Sequence, residues 1–255
     1  MINHKDEYSE EYNAFMRTIE AYNLQDRVFE LRILNPKVGR GILSGYYDNP
    51  VAAFNDIKGR WKKETIYVSL QKLDKAVIAR SCNRLTYAKN TTSEKDVKAY
   101  IFLHIDIDPI RPSGIQATKE ERAFAKKKIK DVISFLKEFG FGSPVISMSG
   151  NGYTADYYLE ELSVNKENKE LIKTILQTLD ILFSDDKAAV DTSVCDAPRI
   201  VKFVGTISKK GNNVEDRPYT YSKIMRLPEN RIRVTRQQLA EVASLKEDLS
   251  NDRKS

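Results

Sequence analysis

The sequence predicts an α+β fold with mixed sheets, on three observations. Short runs such as "RVFELRIL" and "ETIYVSLQ" carry the apolar pattern of strands. "TKEERAFAKKKIKDVISFLKEFG" and "KENKELIKTILQTLDILFSD" carry the longer period of amphipathic helices. Strand-like runs also fall in adjacent pairs instead of alternating strictly with helices. That order favours α+β over a doubly wound parallel sheet.

Taken in order, Glu7 to Asn23 reads as a helix, with Tyr12, Phe15, Met16, Ile19 and Tyr22 at helical spacing. "RVFELRIL" and "GRGILSGYYD" follow as strands. "NPVAAFNDIKGRW" is a helix that Asn49 caps and Pro50 starts. "ETIYVSLQ" is a strand, and the stretch from Leu73 to Ser93 reads mainly as loop. "KAYIFLHIDID" is the clearest strand. The helix after it has a capping box in Thr118 and Glu121 and a stop at Gly140. "SPVISMSGNGYTADYYLEEL" reads as two strands around the turn "SGNG". After the second long helix come strands in "AAVDTSV", "RIVKFVGTIS" and "RPYTYSKIMRL". A last helix, Thr235 to Leu249, is capped by Thr235.

The chain has 255 residues, enough for one large domain or two small ones. Charged residues make up 31% of it, a globular rather than disordered composition. No apolar run approaches the ~18 residues of a membrane span. The N-terminus "MINHKDEYSEEYNAF" lacks the apolar core of a signal peptide, so the expected compartment is the cytoplasm, with no membrane partner. Cys82 and Cys195 have no CxxC partner and read as free thiols. The formal charge of +6 points weakly to a polyanionic partner. Between Lys202 and Arg236 lie Lys209, Lys210, Arg217, Lys223, Arg226, Arg231 and Arg233. A solvated face and a phosphate-tracking surface both fit that stretch.

In "YIFLHIDIDPIRPSG", Tyr100 to Gly114, an apolar run ends in Asp106 and Asp108. Residues i and i+2 of a strand share a face, so the two carboxylates stand side by side. Like charges that close repel unless a cation lies between them. A metal site explains the pair, and so does a strand end entering solvent. Asp191 in "AVDTSV" is a third acid after an apolar run, or a turn aspartate. In "SMSGNGYT", Gly150 and Gly152 free the backbone to approach a phosphate, or simply make a hairpin turn. "RIVKFVGT" sets Arg199 and Lys202 three residues apart, as a triphosphate clamp or as a solvated edge. His104 precedes Asp106 on the same face and is expected to pack beneath the site. Tyr153, Tyr157 and Tyr158 are base-stacking or core residues.

The order of these motifs is what identifies them. "IDIDPIRPSG", "SGNGY", "VDTSV" and "RIVKFVGTISKKGNNVEDRP" resemble the archaeo-eukaryotic primase superfamily. The likeness is greatest to the primase–polymerases of phages, plasmids and some CRISPR loci. It runs from "RSCNRL", at Arg80, to Pro218, and more faintly into "FELRIL" and "GYYD". It implies an RRM-like catalytic sheet packed with an N-terminal α/β unit. The N-terminal lobe would span 1–95, and the catalytic lobe with the last helix 96–255. It implies that Asp106, Asp108 and Asp191 are catalytic ligands of a two-metal site holding Mg²⁺ or Mn²⁺. Ser149, Gly150, Asn151, Gly152, Thr154, Arg199 and Lys202 would face the incoming nucleotide. Lys209, Lys210 and Arg217 fall where the family has further basic residues. The implied partners are a DNA template or primer and dNTPs or NTPs. There are no zinc-type cysteines, so the basic stretch and last helix would support priming, or a separate helicase or priming module would.

Two positions depart from the family pattern. The second motif usually ends in histidine, where this chain has Thr154, and a later histidine is replaced by Tyr219. Threonine donates a hydrogen bond to phosphate but carries no charge. Losing one such stabilising group costs on the order of 10²- to 10³-fold in rate.

Overall fold

The computed structural model describes residues 4–34 and 41–252. Gly39 and Arg40, at the start of the second predicted strand, lie outside them. In chain order the elements are α1 (His4–Ala21), β1 (Phe29–Ile33), β2 (Leu43–Tyr47), α2 (Pro50–Ile57), β3 (Ile66–Ser69), β4 (Lys72–Leu73) and β5 (Thr86–Tyr87). There follow β6 (Val97–Pro109), α3 (Lys119–Glu138), β7 (Val145–Met148), β8 (Tyr153–Ser163), α4 (Lys166–Phe183) and β9 (Ala188–Val190). The last are β10 (Ile200–Lys202), β11 (Ile207–Ser208), β12 (Thr220–Tyr221), β13 (Lys223–Arg226) and α5 (Arg236–Asp252).

The predicted helix starts are present. Asn49 accepts from the amides of Val51 and Ala52. Thr118 and Glu121 make a reciprocal cap on α3, and Thr235 accepts from Gln238 at the start of α5. The predicted α+β class is also present, as two large sheets and a two-stranded ribbon, β11-β12, with helices. One sheet runs β10-β3-β1-β2-β5; the other runs β13-β7-β8-β6-β4, with β9 also paired to β6. Every ladder between these strands is antiparallel, and parallel pairing is confined to isolated bridges. β4 precedes residue 95 yet pairs with β6, while β10 lies far beyond it and pairs with β3. The sheets therefore draw on chain from both sides of that position.

Two predicted strands are each divided. "RIVKFVGTIS" splits into β10 and β11, which belong to different sheets. The break is at Gly205, with φ +100, where a Cβ would lie 2.5 Å from the Trp61 ring. "RPYTYSKIMRL" splits into β12, paired with β11, and β13, paired with β7. Local apolar pattern cannot reveal a change of sheet.

The site strand β6 separates two cores. Leu103, Ile105 and Ile107 are buried with Ala125, Ile129, Val132 and Leu136 of α3 and Ile172, Ile175, Leu176 and Leu179 of α4. Each such large side chain contributes roughly 1.5–3 kcal/mol on burial. Phe102 belongs to the other core, with Phe15 and Ile19 of α1 and with Tyr158. Along that second face the strand then turns polar, at His104, Asp106 and Asp108. The apolar face fixes the register, so the carboxylates cannot exchange sides without exposing isoleucines.

Candidate active site

A cavity of about 200 Å³ opens where the two sheets meet. Its lining includes Asp106, Asp108, Asp191, Thr154, Arg199 and Lys202. Ser149 and Asn151 also reach it, whereas Gly150 and Gly152 do not line it. The third acid arrives through pairing. β9 runs beside the end of β6, and the Asp191 amide donates to the Asp106 carbonyl at 2.9 Å. One Asp191 carboxylate oxygen also accepts from the Ser193 amide at 2.8 Å, so this aspartate organises a turn as well as facing the cavity.

Asp106 is the most perturbed of these acids. Its Oδ1 is buried with no hydrogen-bond partner. Burial, then repulsion from Asp108, pushes its carboxyl up to about 7; His104 opposes the rise and Asp191 adds to it. An acceptor sealed without a donor and flanked by two further carboxylates fits a cation. Among the described residues, no three His, Cys, Asp or Glu side chains are grouped to enclose a metal alone.

Behind Asp106 stands a buried chain of polar groups. His104 Nδ1 lies 2.5 Å from Asp156 Oδ1, and the Tyr22 hydroxyl donates to Asp156 Oδ2 at 2.9 Å. Burial alone would lower the His104 pKa, but the Asp156 charge and hydrogen bond outweigh it and raise it. The register explains the grouping: Asp106 pairs with Thr154, and His104 with Asp156. The imidazole lies two pairs along the ladder from Thr154 and, although largely buried, reaches the cavity lining instead of packing wholly beneath it.

The cations face the acids. Lys202 Nζ donates to the Ser149 carbonyl at 2.7 Å and to Ser208 Oγ at 2.8 Å. Burial, with Lys210 nearby, lowers its pKa to about 8. Arg199 pairs with Asp196 and donates to the Ser193 carbonyl at 2.8 Å, while its Nε is buried without a partner.

The "SGNG" turn is tighter than its sequence implies. Ser149 Oγ accepts from the Asn151 and Gly152 amides, and the Gly150 amide meets Met148 Sδ. These amides are engaged within the turn, not presented to a phosphate. The glycines serve close approach to protein. A Cβ on Gly152 would lie 2.3 Å from the Ile107 carbonyl oxygen and 2.4 Å from Asp108 Oδ1. One on Gly150, at φ +99, would lie 2.4 Å from Ser208 Cβ. Asn151 pins the turn, accepting from the Ala117 amide and donating to Ser208 Oγ.

Other expectations resolve toward structural roles. Tyr153, Tyr157 and Tyr158 are all buried, so they are core residues and not base-stacking platforms. Arg217 makes a two-pronged ion pair with Glu121 on the first turn of α3. Arg231 and Arg236 pair with Glu20 and Glu167. The basic stretch is thus in good part a set of tertiary clamps, although Lys210 does line the cavity. Tyr219 donates to the Gly211 carbonyl, with Lys209 over its ring. Sequence reasoning missed Tyr22, Tyr67 and Asp156. Asp156 was findable, two residues after Thr154 on the same strand face. Tyr22 and Tyr67 come from distant elements and carried no local signal.

The two large sheets, with the acid-bearing strand at their junction, form a mixed α+β fold that is shared with a solved primase–polymerase domain. Among solved structures, the chain is similar to the AEP domain of the cyanophage S-2L primase–polymerase. The TM-score is 0.50 at 10% identity, covering 91% of this chain and 97% of that one. The primase RepB′ gives a TM-score of 0.45 at 10% identity, over 93% of this chain and 66% of that one. At such identity the likeness concerns fold. No protein-family model matches the sequence, and no curated protein matches it. No helix among the described residues is long and apolar enough to cross a membrane.

Proposed function

We propose that this protein is a nucleotidyltransferase of the primase–polymerase type, joining dNTPs or NTPs on a DNA template. The single observation that carries the proposal is the strained Asp106. It sits among Asp108 and Asp191, in a cavity whose other wall holds Lys202 and Arg199. Opposed clusters of acid and base, with an orphaned oxygen on one and an orphaned N–H on the other, suit a cation–phosphate complex. Asp106, Asp108 and Asp191 would hold Mg²⁺ or Mn²⁺. That metal would lower the pKa of an attacking hydroxyl and neutralise charge on the leaving pyrophosphate. Lys202 and Arg199 would bind the triphosphate, and Ser149, Gly150, Asn151 and Gly152 would hold Asp108 and Lys202 in place. About 200 Å³ accommodates phosphates and a cation but not a whole nucleotide, so the nucleoside would extend toward the cavity mouth. The proposed setting is a phage, plasmid or CRISPR-linked system in the cytoplasm, with a helicase or priming module as a separate partner. The test is template-dependent extension with Mg²⁺ or Mn²⁺. Equal activity in the wild type and Asp106→Ala/Asp108→Ala would remove this mechanism.

Thr154 favours a second reading, a primase-derived module that binds nucleic acid or nucleotides and polymerises weakly, in replication initiation or defence. Thr154 is buried directly across from Asp106, and no cationic side chain stands in that place. Thr154→His separates the two readings. A large gain in synthesis supports a weakened polymerase, and strong synthesis by the wild type sinks the binding-only reading.

A further inference from the structure

A larger cavity, about 710 Å³, lies on the first sheet, away from the carboxylates. Arg80, Lys89 and Lys95 line it together with Tyr46, Thr86 and Tyr87. Asp96 is the one acid in the lining, and it is neutralised by a two-pronged pair with Arg80. Lys89 and Lys95 are exposed, with no ion-pair or hydrogen-bond partner among the described residues. Tyr87, on the edge strand β5, is 53% exposed. Cationic side chains beside an exposed ring are the elements from which single-strand binding grooves are built.

The wall carrying the lysines is held in place. The Thr92 amide donates to Glu30 Oε2 at 3.3 Å, and Arg32 donates to the Thr92 carbonyl at 3.2 Å. Glu30 and Arg32 form a buried ion pair at 2.7 Å. The segment between β5 and β6 is therefore anchored to the sheet at a charge-assisted contact.

The register relates this cavity to the candidate active site. Thr86, Ser44, Arg32, Tyr67 and Lys202 are successive cross-strand partners through β5, β2, β1, β3 and β10. Directly opposed residues share a face. Thr86 and Ser44 line the larger cavity, and Tyr67 and Lys202 line the active-site cavity. Both cavities thus border one sheet face, and their nearest lining residues, Ser44 and Tyr67, are two strand spacings or roughly 10 Å apart, with buried Arg32 between them.

We propose that the larger cavity binds single-stranded nucleic acid. Lys89 and Lys95 contact phosphates, and Tyr87 offers a stacking surface. The choice of a polynucleotide rests on the template reading above; the cavity's charge and position do not.

The test is fluorescence anisotropy of the full chain with a labelled short oligothymidylate across a salt series. Lys89→Glu/Lys95→Glu should bind about tenfold more weakly at low salt. Its log–log salt slope should be smaller by roughly 1.4, two single-strand phosphate contacts. Lys126→Glu/Lys130→Glu, an equal charge change on exposed positions of α3, should bind as the wild type does. Lys89→Ala/Lys95→Ala repeats the measurement without added acid, in case the charge reversal unfolds the wall. Binding of a fluorescent nucleoside triphosphate with Mg²⁺ should be unchanged in all variants. Equal losses in the α3 control, unchanged oligonucleotide affinity in both Lys89/Lys95 variants, or no oligonucleotide binding by the wild type would each overturn the proposal. Loss of triphosphate binding in Asp106→Ala alone, with oligonucleotide binding intact, is the expected independence of the two sites. An absence of triphosphate binding in the wild type counts against the active-site reading only, while the oligonucleotide arm still decides this one.

Discussion

Asp106→Asn should stabilise the metal-free protein while removing synthesis. The folded protein holds the Asp106 carboxyl at about 7, well above the ordinary aspartate value of about 4. At ~1.4 kcal/mol per pH unit this shift corresponds to roughly 4 kcal/mol. The cavity-facing side of the carboxylate is screened by water, which leaves about 2 kcal/mol. The sign follows from linkage. The folded pKa is raised, so this stability is fully present below pH ~4 and lost as pH rises through ~7. Asparagine never ionises and escapes the loss. For a chain of this size about 2 kcal/mol corresponds to roughly 4–8 °C in Tm. The measurement is thermal melting of both proteins in chelator at pH 5 and pH 8. The variant should melt higher at pH 8, and the gap should shrink by about half at pH 5. Mg²⁺ should raise the wild-type Tm at pH 8 and leave the variant's unchanged. A variant that melts at or below the wild type at both pH values would refute the account, because Asp106 would then carry no unrelieved charge.

Further outcomes follow from the same geometry. Gly152→Ala places a Cβ 2.4 Å from Asp108 Oδ1 and 2.3 Å from the Ile107 carbonyl, so it should cost about 1–3 kcal/mol in denaturant unfolding and reduce synthesis strongly. Lys202→Met should weaken triphosphate binding on the order of tenfold or more, read by anisotropy. The folded Lys202 pKa is depressed to about 8, so its contribution to stability is lost as pH falls from ~10.5 through ~8. Lys202→Met should therefore flatten the rise in stability over that alkaline window. Arg217→Ala breaks the ion pair to Glu121 at the start of α3, and its Tm should fall by a few degrees with triphosphate binding unchanged.

Much of the fold was legible because its signals are local. The caps at Asn49, Thr118 and Thr235 mark helix starts through side chains that satisfy amides within four residues. The side-by-side placement of Asp106 and Asp108 follows from strand period alone. The divided strands were not legible. β10 and β11 form one apolar run in sequence, and only contact with β3 on one side and β12 on the other assigns them to separate sheets. For the turn glycines the sequence left open a phosphate-facing turn or a plain hairpin, and it could not show that their neighbours are Asp108 and Ser208, far away in sequence.

By itself, then, the sequence determined the α+β class, the capped helix starts at Asn49, Thr118 and Thr235 and the order of acidic, glycine-rich and basic motifs, because propensity, capping and periodicity act over a few residues; it did not reveal that the second helix ends at Ile57, short of Trp61. Only the tertiary structure decided that Asp191 lies against Asp106 through the pairing of β9, and that Lys202 faces them from the other sheet. It also decided that His104, the first residue of "HIDID", is tied to Asp156 of β8 and through it to Tyr22 just beyond α1. The raised Asp106 carboxyl owes most to desolvation, which exists only once the sheets have closed around it; the neighbouring Asp108 on the same strand adds to it, and Asp191 and Asp156 add more from distant parts of the chain.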